Sequence, residues 1–252
     1  MELPFHFGPG GELFGLFHAT GMPPRKAVLL CPPLGQDQIR CHRLYRQLAH
    51  ALAAEGVAAL RFDYYGSGDS AGASEELNWR RCIADTALAA DELRRRSGCE
   101  RVIAFGARLG ACIAVETAAS ARLAGLMIWD PIVDGAGHVA RLDAMQEALR
   151  HDPHRFTRPR SCSDIAAQWL GFAVSERLRS EIGGLHLVPV SLPTLVLDSQ
   201  GAPRTPAWRD APDTSFVSLD PSVPWDDLDR LEAAILSHPL VQAVTAHVRS
   251  AA

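Results

Sequence analysis

The 252-residue sequence predicts an α/β protein built on a mostly parallel, doubly wound sheet. Three observations carry that expectation. Short unbroken apolar runs such as Ala27–Cys31 and Thr194–Asp198 suit strands covered on both faces. Helical patterns lie between the runs, and the links are short and rich in glycine, which calls for right-handed crossovers.

Taken in order, Glu12–His18 alternates weakly after a Gly-rich turn and reads as an edge strand. Ala27–Cys31 is the next strand and ends in Pro32-Pro33-Leu34-Gly35. Leu44, Leu48 and Leu52 give His42–Glu55 a helical spacing, with Gly56 as a C-terminal cap. Ala58–Asp63 is a strand followed by the turn Tyr65–Ser70. Glu76–Arg96 is a long amphipathic helix with Leu77, Cys82, Ile83, Thr86 and Leu93 on its core side. Arg101–Phe105 is a strand, Gly106–Gly110 a sharp turn, Leu109–Ala121 a helix and Leu123–Trp129 a strand. The pattern then changes. From Asp130 to Pro189 it gives helices over about 137–150 and 163–182, a charged loop His151–Arg160 and no clear strand. Thr194–Asp198 and Ser215–Leu219 resume the strands, and Asp226–Arg249 closes as a helix. The expected organisation is one domain: a core over 1–134 and 187–252, and a helical cap inserted over 135–186.

Composition narrows the function. A net charge of -4 offers no basic field for nucleic acid or an anionic membrane surface. Lys26 is the lone lysine among 25 Lys and Arg residues, a bias that reads as a GC-rich genome and not as phosphate recognition. No apolar run has the roughly 18–20 residues of a membrane span, and Met1–Gly11 lacks the pattern of a signal peptide. The six cysteines are scattered, without C-x-x-C or zinc-type spacing, and read as reduced thiols. The expectation is a cytoplasmic protein, monomer or homodimer, with no cofactor and no metal.

Three motifs occur in a fixed order: the loop Pro32-Pro33-Leu34-Gly35 after a strand, the segment Arg61-Phe62-Asp63 with Gly66-x-Gly68-x-Ser70, and the turn Gly106-Ala107-Arg108-Leu109-Gly110. In order and spacing they resemble the α/β-hydrolase superfamily, most of all its serine-aminopeptidase-like (S33) branch. More narrowly, P-P-L-G, G-x-R-L-G-A and W-x-P-I-V-D-G are similar to the hydrolase 2 proteins associated with exosortase A gene clusters. That resemblance implies exopolysaccharide and protein-sorting systems, with carrier-protein and acyl-activating partners.

Set against the family pattern, the site departs. The elbow G-x-S-x-G of an active hydrolase keeps its flanking Gly106 and Gly110 here, but its centre is Arg108, a guanidinium that stays protonated and cannot attack. The turn after Thr194–Asp198 carries no carboxylate, although Asp198 at the strand end is a displaced candidate. The stretch Asp220–Trp225 after the last strand holds no histidine, and His238 reads as a surface or packing residue. Ser-His-Asp acyl transfer is therefore not supported. The resemblance leaves an oxyanion pocket at Leu34, Gly35 and Leu109, next to the positive end of a helix and to Arg108.

Two readings of Arg108 stand side by side. It either faces an anionic ligand or is neutralised internally by Asp63, Asp130 or Asp198. Replacement catalysts are Asp130, at a strand's carboxyl edge, and His138, at the start of the cap, where it either activates water beside Asp130 or Asp134 or sits in solvent. Cys31 and Cys112 are further nucleophile candidates, set against small buried core residues. Gly66-x-Gly68 lacks the rest of a dinucleotide fingerprint and reads as a turn. Trp129, Trp169, Trp208 and Trp225 either line an apolar cleft or pack the core. Two functions follow: a pseudo-hydrolase binding a small anionic, acyl, carrier-linked or saccharide-related ligand at Arg108, or a noncanonical hydrolase or acyltransferase acting on esters or thioesters.

Overall fold

A computed structural model describes residues 1–155, 157–158, 167–201 and 206–250. Its main sheet has eight strands: β1 (Glu2–Phe7), β2 (Leu13–His18), β3 (Lys26–Cys31), β4 (Val57–Phe62), β5 (Val102–Ala107), β6 (Gly125–Trp129), β9 (Thr194–Asp198) and β10 (Thr214–Ser218). Their spatial order is β1-β2-β4-β3-β5-β6-β9-β10. The pairs β1/β2 and β2/β4 are antiparallel and the pairs from β4 onwards are parallel.

Alternation along β3 explains the two layers of helix. Val28 and Leu30 join a cluster with Leu44, Leu48 and Leu52 of α1 (Gln36–Ala54) and Leu240, Val244 and Val248 of α7 (His238–Ser250). Ala27, Leu29 and Cys31 point the other way, into a cluster with α2 (Trp79–Ser97) and α3 (Leu109–Thr117). Burying both faces of each strand is why the runs read as continuously apolar.

Between β6 and β9 lie α4 (Gly135–Arg150), the two-residue strands β7 (Gln168–Trp169) and β8 (Phe172–Ala173), and α5 (Glu176–Gly183). The short helix α6 (Pro206–Arg209) precedes β10. The helix expected over 163–182 is corrected in part: a small antiparallel hairpin occupies 168–173, and 163–166 lie outside the described residues. Two further expectations change. Glu12–His18 is not the edge strand, because β1 covers it. Asp226–Arg249 is not one helix, since a single 3-10 turn at Leu228–Arg230 precedes α7. The cause is tertiary hydrogen bonding: Gln36 Nε2 donates to Leu231 O (2.6 Å), and Ile235 N donates to Arg40 O (2.9 Å). These bonds claim backbone groups that a continuous helix needs.

Candidate functional site

The turn from β5 into α3 is set by close approach. A Cβ on Gly106 would meet Gly110 O at 2.5 Å, and one on Gly110 would meet Pro32 O at 2.4 Å. Only glycine fits at either position, so strand, turn and helix are drawn against the loop after β3. Between them Arg108 sits at φ 52 and ψ -124, a left-handed strain held by its own N–H, which donates to Trp129 O at 2.9 Å. Tyr45 ties the neighbouring strand ends: its hydroxyl donates to Cys31 O (2.9 Å) and accepts from Ala107 N (3.0 Å).

Arg108 is internally paired, but not with Asp63, Asp130 or Asp198. Its Nε donates to Asp37 Oδ2 (3.3 Å) and its Nη2 to Asp226 Oδ1 (3.4 Å), while Arg141 Nε lies 3.2 Å from the second oxygen of Asp226. The guanidinium also stands 5.1 Å from the Trp225 ring centre. Burial raises the Asp37 carboxyl above its usual range, and the Arg108 charge opposes that rise.

Asp130 stands at the end of β6 with φ 43, and its carboxylate is fully engaged. Oδ1 accepts from Ser199 N (2.8 Å), and Oδ2 accepts from Ser199 Oγ (2.5 Å) and Trp225 Nε1 (2.7 Å). Burial pushes its pKa up, against those hydrogen bonds. Trp225 comes from the stretch after β10 in which a base histidine was sought. Arg40, itself buried, holds that stretch by donating to Trp225 O and Pro224 O, both at 2.7 Å. Arg108, Trp225 and Asp130 thus form a chain of contacts, but an indole N–H only donates and cannot take a proton.

His138 is buried at 3% exposure, which corrects its placement in solvent. Its Nδ1 has no hydrogen-bond partner among the described residues, and burial, with the Arg108 and Arg141 charges, pushes its pKa down to about 3. Neither expected carboxylate orients it. Asp130 is engaged as above, and Asp134 caps α4 by accepting from Gly137 N. Cys112 is also buried, with Sγ 3.3 Å from Arg108 O and from Ile132 O, and its thiol is pushed up to about 12. Burial likewise raises Cys31. Both therefore stay thiols, the opposite of an activated nucleophile.

Two neighbouring cavities divide these residues. Leu34, Gly35, Leu109 and His138 border one of about 170 Å³, with Trp169 and Phe172 of the β7/β8 hairpin. Arg108 and Asp130 border the other, of about 320 Å³, with Trp208 and Phe216. Asp226 lines both. The first is mostly apolar. It is met by the N-termini of α1 and α3, whose N-cap residues Gly35 and Arg108 make no side-chain cap. In the second, Arg108 and Arg141 face four aspartates: Asp130, Asp134, Asp198 and Asp226. Asp37, Arg141, Ser199 and Asp226 were not foreseen. Only Asp226 carried a signal, as the carboxylate that directly follows the stretch Asp220–Trp225.

Known proteins agree with this architecture. Residues 23–159 match the family model described as serine aminopeptidase, S33. The sequence is 31% identical over 198 residues to Esterase FrsA of Pectobacterium atrosepticum, covering 74% of this chain and 42% of that protein. It is 28% identical over 209 residues to Esterase FrsA of Serratia proteamaculans, covering 79% of this chain and 43% of that one. The chain thus spans less than half the length of these relatives. Among solved structures, Est1E from Butyrivibrio proteoclasticus superposes with TM-score 0.66 at 14% identity, covering 98% and 97% of the two chains. The proline iminopeptidase-related protein from Thermus thermophilus gives 0.63 at 20% identity, covering 99% and 98%. These likenesses show the α/β-hydrolase fold, and the family match shows the branch: the chain belongs to the serine aminopeptidase S33 family.

Proposed function

We propose that this chain is a pseudo-hydrolase, a binding member of an esterase-like family that retains the site's backbone without its proton-transfer chemistry. One observation carries the reading. Trp225, not a histidine, donates to Asp130, and Arg108, not a hydroxyl, stands at the elbow beside it. Neither the guanidinium nor the indole can attack or take a proton, and the Asp130 carboxylate is occupied by three hydrogen bonds.

The electrostatics also speak to the ligand. Asp37 and Asp226 already neutralise Arg108, and the second cavity has more carboxylates than arginines. An anion would meet net negative charge there. The mostly apolar first cavity, bordered by α4, the β7/β8 hairpin and α5, suits an uncharged acyl-type group. The uncapped helix N-termini at Gly35 and Arg108 would hold its carbonyl oxygen, with N–H groups from the loop at Leu34 and Gly35 and from Leu109. The P-P-L-G, G-x-R-L-G-A and W-x-P-I-V-D-G motifs support a place beside exosortase systems, with the acyl group presented on a carrier.

The test is turnover of p-nitrophenyl esters and acyl thioesters by the purified chain. The expected rate equals the uncatalysed one, while a medium-chain acyl amide, which has no labile bond, still binds. Turnover that disappears in Arg108→Ala would overturn the reading in favour of a noncanonical hydrolase. That second reading draws on the retained elbow strain and the helix N-termini at the first cavity.

A further inference from the structure

We propose that Glu2, His18 and His50 form a zinc-type divalent-cation site that fastens the edge strand β1 to α1. Glu2 and His18 are register partners across β1 and β2, so their side chains share a face, and His50 reaches that face from α1. Glu2 Oε1 lies 3.7 Å from His18 Nε2 and 3.4 Å from His50 Nε2, and the three ligand atoms all fall within 4.8 Å of one another. These separations are long for hydrogen bonds. They match the roughly 3.4 Å between two donors that each stand about 2.1 Å from a tetrahedral ion.

A second observation points to a ligand. His18 is 1% exposed, and its Nε2, aimed at this cluster, has no hydrogen-bond partner among the described residues. A buried polar atom left unpaired is costly, and a metal would satisfy it. Two imidazoles and one carboxylate, with a fourth position left for water, are a donor set suited to zinc.

Charged neighbours set the affinity. Arg46 donates to both Glu2 oxygens, at 3.2 and 3.0 Å, but its side chain is 58% exposed and free to swing out. Arg61 Nη1 lies 3.6 Å from Glu2 Oε1, and its Nη2 contacts His42 Nε2 at 3.0 Å, so the guanidinium stays and weakens the site. The Met1 ammonium group faces Ala19 O at 3.5 Å and adds a further positive charge. These positive charges oppose a dication, so binding weaker than at an all-cysteine site follows.

Zinc ion titrated calorimetrically into the untagged chain, with thermal unfolding in zinc and in chelator, tests the site. One ion per chain should bind and raise Tm. His50→Gln, at a half-exposed position that leaves the fold intact, should weaken binding at least tenfold and abolish the Tm rise. Arg46→Gln, which frees Glu2, should tighten binding several-fold. Cobalt ion should give the intense visible bands of a tetrahedral site in the native chain and lose them in His50→Gln. No binding, or binding unchanged in His50→Gln, overturns the proposal, and so does weaker binding in Arg46→Gln.

Discussion

The turn from β5 into α3 and the loops after β9 and β10 border the same two cavities, yet different physics holds them. The turn is fixed by backbone contact: Gly106 and Gly110 pack against carbonyl oxygens with no room for a Cβ. The loops are fixed by side chains. Ser199 and Trp225 gather on Asp130, Gln200 Nε2 donates to Val223 O at 2.8 Å, and Arg40 grips Pro224 and Trp225 from α1. A region held by backbone sterics keeps its shape whatever residue stands at its tip, so Arg108 adopts the strained conformation of the turn at φ 52 and ψ -124. A region held by side chains takes its shape from their chemistry, and there the Trp225 indole donates to the Asp130 carboxylate.

The largest effect should come from breaking the steric half. In Gly110→Ala the new Cβ would meet the carbonyls of Pro32 and Cys31 at 2.4 and 2.6 Å, and both belong to backbone that β3 holds in place. A loss of about 3 kcal/mol or more is expected. Chemical denaturation should show it as a lower midpoint with an unchanged slope. If Gly110→Ala unfolds at the native midpoint, the turn is not held by contact.

How much was legible follows the same division. The strands β3 to β6 and β9 could be read because burial on both faces makes each an unbroken apolar run. The glycine pair of the elbow was legible because it records a local steric need. The start of α1 at Gln36 was not, since Gln36-Asp37-Gln38 is polar and the apolar spacing begins later. β1 was hidden by Pro4, which is tolerated because an edge strand has one unpaired side. The ion pairs of Arg108 were beyond reach. Asp37 and Asp226 lie 71 and 118 residues away in sequence, so only the crossovers of the sheet bring them together.

The next effect concerns α4. His138 on α4 is neutral when folded, with a pKa near 3, but titrates near 6.5 when unfolded. Its contribution to stability is therefore complete above pH 6.5 and is lost as pH falls towards 3, by about 1.4 kcal/mol per pH unit. At pH 4.5 this amounts to about 2–3 kcal/mol. His18, lowered to about 4, adds a slope of the same sign over a shorter range. Asp37 and Asp130 act oppositely: their raised carboxyls stabilise the fold as pH falls through their own folded range. Comparing unfolding of the wild type and His138→Phe between pH 7 and 4.5 isolates the imidazole. The variant should lose less stability on acidification, and parallel curves would show that His138 is not buried as a neutral ring.

The last effects separate the two carboxylates that hold Arg108. Asp37 belongs to the first turn of α1 and its side chain is 19% exposed, whereas that of Asp226 is 40% exposed and is shared with the exposed Arg141. Asp37→Asn removes the better-shielded partner of a guanidinium that is itself 9% exposed, and a cost of about 2 kcal/mol is expected. Asp226→Asn breaks a pair that water and salt already screen, and about 0.5 kcal/mol is expected, falling further in high salt. The two variants also differ in what they free. With Asp226 neutralised, Arg108 and Arg141 face the second cavity with one carboxylate fewer, so weak binding of a small carboxylate there should appear in Asp226→Asn and not in the native chain. If the native chain binds that carboxylate equally well, Arg108 is an anion seat despite its partners, and the steric half of the site has kept more of its chemistry than its side chains suggest.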